Sequence, residues 1–251
     1  MKTIMITGAT SGFGEAIART MSKHDCQLII TGRREDRLMK LAHEITESTG
    51  TKVLPLVFDV RDNAACEKAI HSIPAEFQPI DVLVNNAGLA VELDPVHKGS
   101  LEDWERMIDT NIKGLLYVTR LVAPQMVERK SGHIINMGST ASHEVYMGGG
   151  IYCATKHAVL ALSKAMRTDF LPYGIKVTMI APGAAETEFS NVRFHGNQER
   201  ADKVYEGYDP LVAQDIADIV EFVLTRPAHV CLNEVIVTPT AQFNGVINRN
   251  I

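Results

Sequence analysis

Apolar residues in this chain fall into two kinds of run that alternate from end to end. Short runs rich in Val and Ile, at 3–7, 27–31, 53–58, 80–84, 132–137, 175–180 and 234–238, read as buried strands. Longer segments at 15–21, 35–48, onward from Ser100, 152–170 and 212–224 repeat apolar residues at helical spacing. Ser100-Leu-Glu-Asp103 resembles a capping box and opens a long helix that carries Asn111 in its interior. Strand and helix in strict alternation predict an α/β fold: one Rossmann-type doubly wound parallel sheet of about seven strands, order 3-2-1-4-5-6-7, with helices on both faces. Pro55 has no N–H for a ladder, so the third strand belongs at an edge, as that order requires. The stretch at about 184–210 is polar and irregular and leaves a strand's carboxyl end, which suits a substrate lid on a single domain spanning 1–251.

Composition narrows the function classes. At 251 residues and 45% hydrophobic the chain can bury a sizeable core. A net charge of −5 gives no general attraction to nucleic acid or to anionic membranes. Four scattered cysteines suggest neither a disulfide framework nor a zinc site, so buried thiols in a reducing compartment are expected, and nine histidines show no metal-ligand spacing. The opening apolar run is too short to read as a signal peptide and no stretch of ~18 apolar residues follows, so the expected location is the cytoplasm, with no metal, nucleic acid or membrane partner expected.

The first strand ends in Gly8-Ala-Thr-Ser-Gly12-Phe-Gly14, followed by a helix. Such a turn brings backbone close to a pyrophosphate, whose charge the helix N-terminus meets. After the second strand come Arg33 and Arg34, where an acidic residue would hold ribose hydroxyls and arginine holds a 2′-phosphate, so NADP(H) is expected over NAD(H). Asp59 and Val60 close the third strand, Asn86, Ala87 and Gly88 the fourth, Ser139 the fifth, and Pro182 and Gly183 the sixth, all at the carboxyl edge where ligands bind. Tyr152 and Lys156 are four apart on one helix face. An ordinary phenol, pKa about 10, trades protons poorly at neutral pH, and a cation ~4 Å away at an effective dielectric of ~20 lowers that pKa by about three. A mid-helix Asn111 has no obvious structural use, which marks it as functional.

These motifs, taken in order with their gaps, resemble the short-chain dehydrogenase/reductase family along the whole chain. The resemblance implies that Tyr152 is the general acid or base, that Lys156 lowers its pKa and holds the nicotinamide ribose, that Ser139 binds the substrate oxygen, and that Asn111 positions a water leading from Lys156. It implies Gly8, Thr10, Ser11, Gly12, Phe13 and Gly14 around the pyrophosphate, Asn86 and Ala87 at the adenine-side ribose, Thr187 at the carboxamide, and a homotetramer or dimer built on the helices of Asn111 and Tyr152. Asp103-Trp104, the segment from Met107 to Asn111, Thr187 to Phe194 and Pro227-Ala-His-Val230 are similar to the bacterial NADP-dependent 3-hydroxy acid dehydrogenases, with a sulfoacetaldehyde-reducing branch nearby.

Small anionic substrates of that kind require a cation, for which Arg193 is the candidate; Tyr146 is a further substrate-binding candidate. Two departures stand out: Ser142-His-Glu-Val-Tyr146 puts His143 and Glu144 near the pocket wall, and the lid's start is one residue short. A carboxylate there repels an anion or binds an amine. The expectation is an NADP(H)-dependent oxidoreductase for a small 3-hydroxy acid such as serine, allo-threonine or 3-hydroxypropionate. The alternatives are a sulfoacetaldehyde reductase, a reductase of neutral or amine-bearing carbonyls, and a non-catalytic NADP-binding regulator.

Overall fold

The structure, a computed structural model, describes residues 1–243 and 245–248. Seven strands form the main sheet: β1 (Lys2–Ile6), β2 (Cys26–Gly32), β3 (Val53–Val57), β4 (Val82–Asn85), β5 (His133–Met137), β6 (Lys176–Pro182) and β7 (Glu234–Val237). Their spatial order is β3-β2-β1-β4-β5-β6-β7, every neighbouring pair parallel. The expected sheet is therefore the observed one, and Pro55 sits on its edge strand opposite Ile30.

Alternation along the strands builds two cores. Ile4, Ile6, Leu28 and Ile30 face α1 (Gly12–Met21), α2 (Glu35–Thr49) and α9, the helix Ala213–Leu224. Met5, Ile29, Leu83 and Ile134 face the other way, onto α3 (Asn63–His71), α5 (Leu115–Arg129) and α6 (Gly150–Phe170). A period of two thus feeds both faces of one sheet. The α3 crossover, capped by Asp62 accepting from the N–H of Ala65, was not evident in the apolar pattern.

Three features differ from the sequence reading. The helix expected to run on from Ser100 is α4 (Leu101–Ile108) and α5 joined by a π-helical segment, Asp109–Gly114, which contains Asn111. Segments of this type mark strained or functional positions in helices. The stretch 184–210 is not irregular: it holds α7 (Glu188–Arg193), α8 (Gln198–Lys203) and a two-residue strand pair, Ala185–Glu186 with Leu211–Val212. Thr187 and Asn197 start these helices by accepting from the N–H groups of Phe189 and Arg200, and six residues are too few to display a helical period. Cys26, Cys66 and Cys153 are buried as expected, whereas Cys231 is exposed.

Candidate active site

The carboxyl edge of the sheet opens into a cleft of about 650 Å³. Of the residues to which the sequence assigns a catalytic, cofactor-binding or substrate-binding role, all but Gly14 and Asn111 line it. His143 does not, because its ring turns away to meet Glu234 of β7 at 2.5 Å.

The glycine-rich turn is held by β4. Asn86 donates from Nδ2 to the carbonyls of Thr7 (2.8 Å) and Gly8 (3.1 Å), while Thr7 Oγ1 accepts from the N–H groups of Asn86 and Ala87, both at 3.0 Å. Thr7, which opens the glycine-rich motif in the sequence, thus braces the turn, a role its place in the motif did not disclose. Gly8 and Gly12 adopt φ of +68° and +55°, where side chains are rare. A Cβ on Gly14 would lie 2.4 Å from the Gly8 oxygen, so glycine there permits the tight loop-to-helix approach.

Guanidinium groups gather at the far end of the cleft. Arg33 pairs with Asp59 at 3.6 Å, and Arg61 binds the same carboxylate at 2.7 Å. Burial raises the pKa of Asp59, but the Arg61 hydrogen bonds outweigh it and hold the carboxyl below its usual range. Arg34 donates to Thr10 and Ser11 of the glycine-rich turn and to Glu188 of α7. A concave site of this size, with a glycine turn at one end and guanidinium groups beside it, fits a nicotinamide dinucleotide bearing a 2′-phosphate.

At the other end, Ser139 Oγ accepts from the N–H of Ala141 (3.1 Å), and its hydroxyl hydrogen-bonds Tyr152. Asn111 Oδ1 accepts from the N–H of Leu89 (2.8 Å), and its Nδ2 donates to the Leu89 carbonyl (2.8 Å) and Thr155 Oγ1 (3.0 Å). Its side chain therefore clamps the chain after β4. A Cβ on Gly88 would lie 3.3 Å from Asn111 Oδ1 and 3.6 Å from Lys156 Nζ, so Gly88 lets both approach.

Lys156 donates to the Met137 carbonyl at 2.8 Å, and its Nζ stands 5.8 Å from the centre of the Tyr152 ring. Burial pushes the pKa of Lys156 down to about 8. Burial pushes the Tyr152 phenol up, and Tyr146 adds to this; the charge of Arg193 and a hydrogen bond with Ser139 pull it back. The charge of Arg193 thus acts on the phenol, and Lys156 stands against the same ring. The Arg193 guanidinium lies 5.3 Å from the Tyr152 ring, 5.4 Å from Phe189 and 5.9 Å from Tyr146, and it donates to the Tyr146 hydroxyl at 2.8 Å. Its Nε is buried with no hydrogen-bond partner among the described residues. Phe189, whose ring meets Tyr152 edge-on at 5.8 Å, and Gln242, which accepts from the Ala184 N–H at 2.7 Å, are contributors that spacing did not reveal.

The family model described as short chain dehydrogenase matches residues 2–198, and the chain belongs to that family. More particularly, it is 51% identical over 245 residues to the NADP-dependent 3-hydroxy acid dehydrogenase YdfG of Salmonella typhi, covering 97% of each chain. It is 43% identical to the serine 3-dehydrogenase of Agrobacterium fabrum, covering 96% of this chain and 94% of the other. Among solved structures, the closed form of a serine dehydrogenase complexed with NADP+ superposes with a TM-score of 0.92 at 46% identity, covering 98% of both chains.

Proposed function

We propose that the protein is an NADP(H)-dependent oxidoreductase interconverting a small 3-hydroxy acid and its carbonyl compound. The observation that carries the substrate class is Arg193: a caged guanidinium whose buried Nε has no partner among the described residues, standing beside Tyr152 in the cleft. An unsatisfied buried donor is costly, and a substrate carboxylate supplies the missing acceptor.

When bound, the nicotinamide supplies or accepts the hydride. The protein moves the proton. Ser139 donates to the substrate oxygen, fixing it against Tyr152, and Tyr152 gives its proton to that oxygen in reduction or removes it in oxidation. Arg193 fixes the carboxylate and favours the phenolate form of Tyr152. Lys156, held by the Met137 carbonyl, faces the ribose side, and Asn111 keeps the Leu89 backbone in place beside it. Arg33 and Arg34 hold the 2′-phosphate; the segment 184–210 covers the substrate as a lid on a single domain.

The enzyme is read as a cytoplasmic homotetramer. Leu101, Ile108 and Leu116 are exposed on the α4–α5 unit where the family resemblance places subunit contacts, and no helix among the described residues is long and apolar enough to cross a membrane.

A second reading, an amine-bearing substrate, is favoured by Glu144. Its carboxylate lines the same cleft and makes no side-chain hydrogen bond or ion pair among the described residues. Arg193 and Glu144 together suit a zwitterion such as serine. Initial rates with NADPH or NADH on malonic semialdehyde and sulfoacetaldehyde, and with NADP+ on serine and 3-hydroxypropionate, test both readings. Fast NADPH-dependent turnover of the 3-hydroxy acid pairs supports the first, and serine strongly favoured over 3-hydroxypropionate supports the second. Slow turnover of every compound overturns both.

A further inference from the structure

Glu188 opens the lid helix α7, directly after Thr187, yet its carboxylate reaches across the cleft mouth to the start of α2. One oxygen accepts a hydrogen bond from Arg34 Nη1 at 2.8 Å, and the other accepts one from Arg37 Nη1 at 2.5 Å. Burial raises the pKa of Glu188, but the two guanidinium groups overcome this and hold it below its ordinary value. Arg34 is otherwise spent: its Nε and Nη2 donate to Thr10 and Ser11, leaving little beyond Nη1 for another acceptor. Arg37 stands one helical turn beyond Arg34 and has no acceptor besides Glu188 among its described hydrogen bonds and ion pairs.

A 2′-phosphate is a dianionic oxygen acceptor, so it seeks the same donors as a carboxylate. Two anions cannot share one cation pair without repelling each other. We propose that Arg37 is a further 2′-phosphate residue, and that the phosphate displaces Glu188 from the pair Arg34–Arg37. Cofactor choice is thereby tied to the lid: NADP(H) frees the base of α7 beside Thr187, and NAD(H), lacking the phosphate, leaves it fastened.

The inference rests on the NADP(H) reading and is indifferent to which carbonyl compound is reduced. Its test is equilibrium binding of NADPH and NADH, followed by nucleotide fluorescence, to the wild type, Glu188→Gln, and the double variant Glu188→Gln/Arg37→Gln. The residues are partly exposed, so all three proteins should keep the same melting temperature. Removing the competing carboxylate should tighten NADPH about threefold, in keeping with exposed ion pairs, and leave NADH unchanged. In that background, where nothing competes, adding Arg37→Gln should weaken NADPH about fivefold and again spare NADH. Glu188→Gln that leaves NADPH binding unchanged, weakens it, or tightens both nucleotides alike overturns the proposal. A wild type that binds NADH as well as NADPH overturns the cofactor reading itself, and this proposal with it.

Discussion

The guanidinium of Arg193 stands 5.3 Å from the ring of Tyr152, closer than the 5.8 Å of Lys156 Nζ, although Tyr152 and Arg193 are separated by most of α6, all of β6 and most of α7. A residue at the end of α7 thus sets part of the electrostatic field at the phenol.

From this relationship follows a double effect of Arg193→Ala. Loss of a charge-assisted hydrogen bond to the substrate carboxylate should lower kcat/KM for 3-hydroxy acids about 100-fold. Loss of the cation should also move the pH at which oxidation accelerates upward, because Arg193 favours the ionised phenol. Steady-state kinetics across pH check both; an unshifted pH profile would show that Arg193 does not reach Tyr152.

Lys156 makes a prediction about stability. Its folded pKa, about 8, lies below the ordinary 10.5, so between these values the unfolded chain binds more protons and stability rises with pH. Below pH 8 the buried ammonium costs its full penalty, on the order of 3 kcal/mol before its hydrogen bond to Met137 is counted. Lys156→Met should therefore be more stable than the wild type at pH 7 by about 2 kcal/mol, while losing activity, and the gap should close as pH passes 10.5. Denaturant titrations at pH 7 and pH 10.5 decide it.

His133 governs the acid side. Buried on β5 against Thr178 at 2.8 Å, its pKa is driven to about 3, mainly by burial and further by Lys176 and Lys2. The unfolded chain takes up this proton near the ordinary 6.5, so the stability contribution is complete above that pH and lost as pH falls towards 3, by about 5 kcal/mol at most. His133→Gln should flatten the acid limb of the stability curve across that window. A variant with the same acid slope as the wild type would contradict this.

Much of the architecture was legible because its signals are local. Pro55 marks an edge strand by what it lacks, the runs around Ile4, Leu28 and Leu83 mark buried strands by length, and the Tyr152-Lys156 pair needs only a helix to share a face. What stayed hidden depends on distant partners. Glu188 meets Arg34 across 154 residues, Asn111 spends its amide on a backbone 22 residues earlier, and His143 leaves the pocket for Glu234 on a strand 91 residues later. Charge and hydrogen-bonding capacity were visible at each position; the direction of the side chain was not.

The most direct test of the account compares the wild type with Tyr152→Phe, measuring NADPH oxidation with malonic semialdehyde alongside NADPH binding. Loss of the proton donor should cut kcat about 1000-fold while NADPH binds as before, since the ring and its packing against Phe189 remain. Turnover that persists in Tyr152→Phe within a fewfold of the wild type would contradict the assignment of the proton to this phenol.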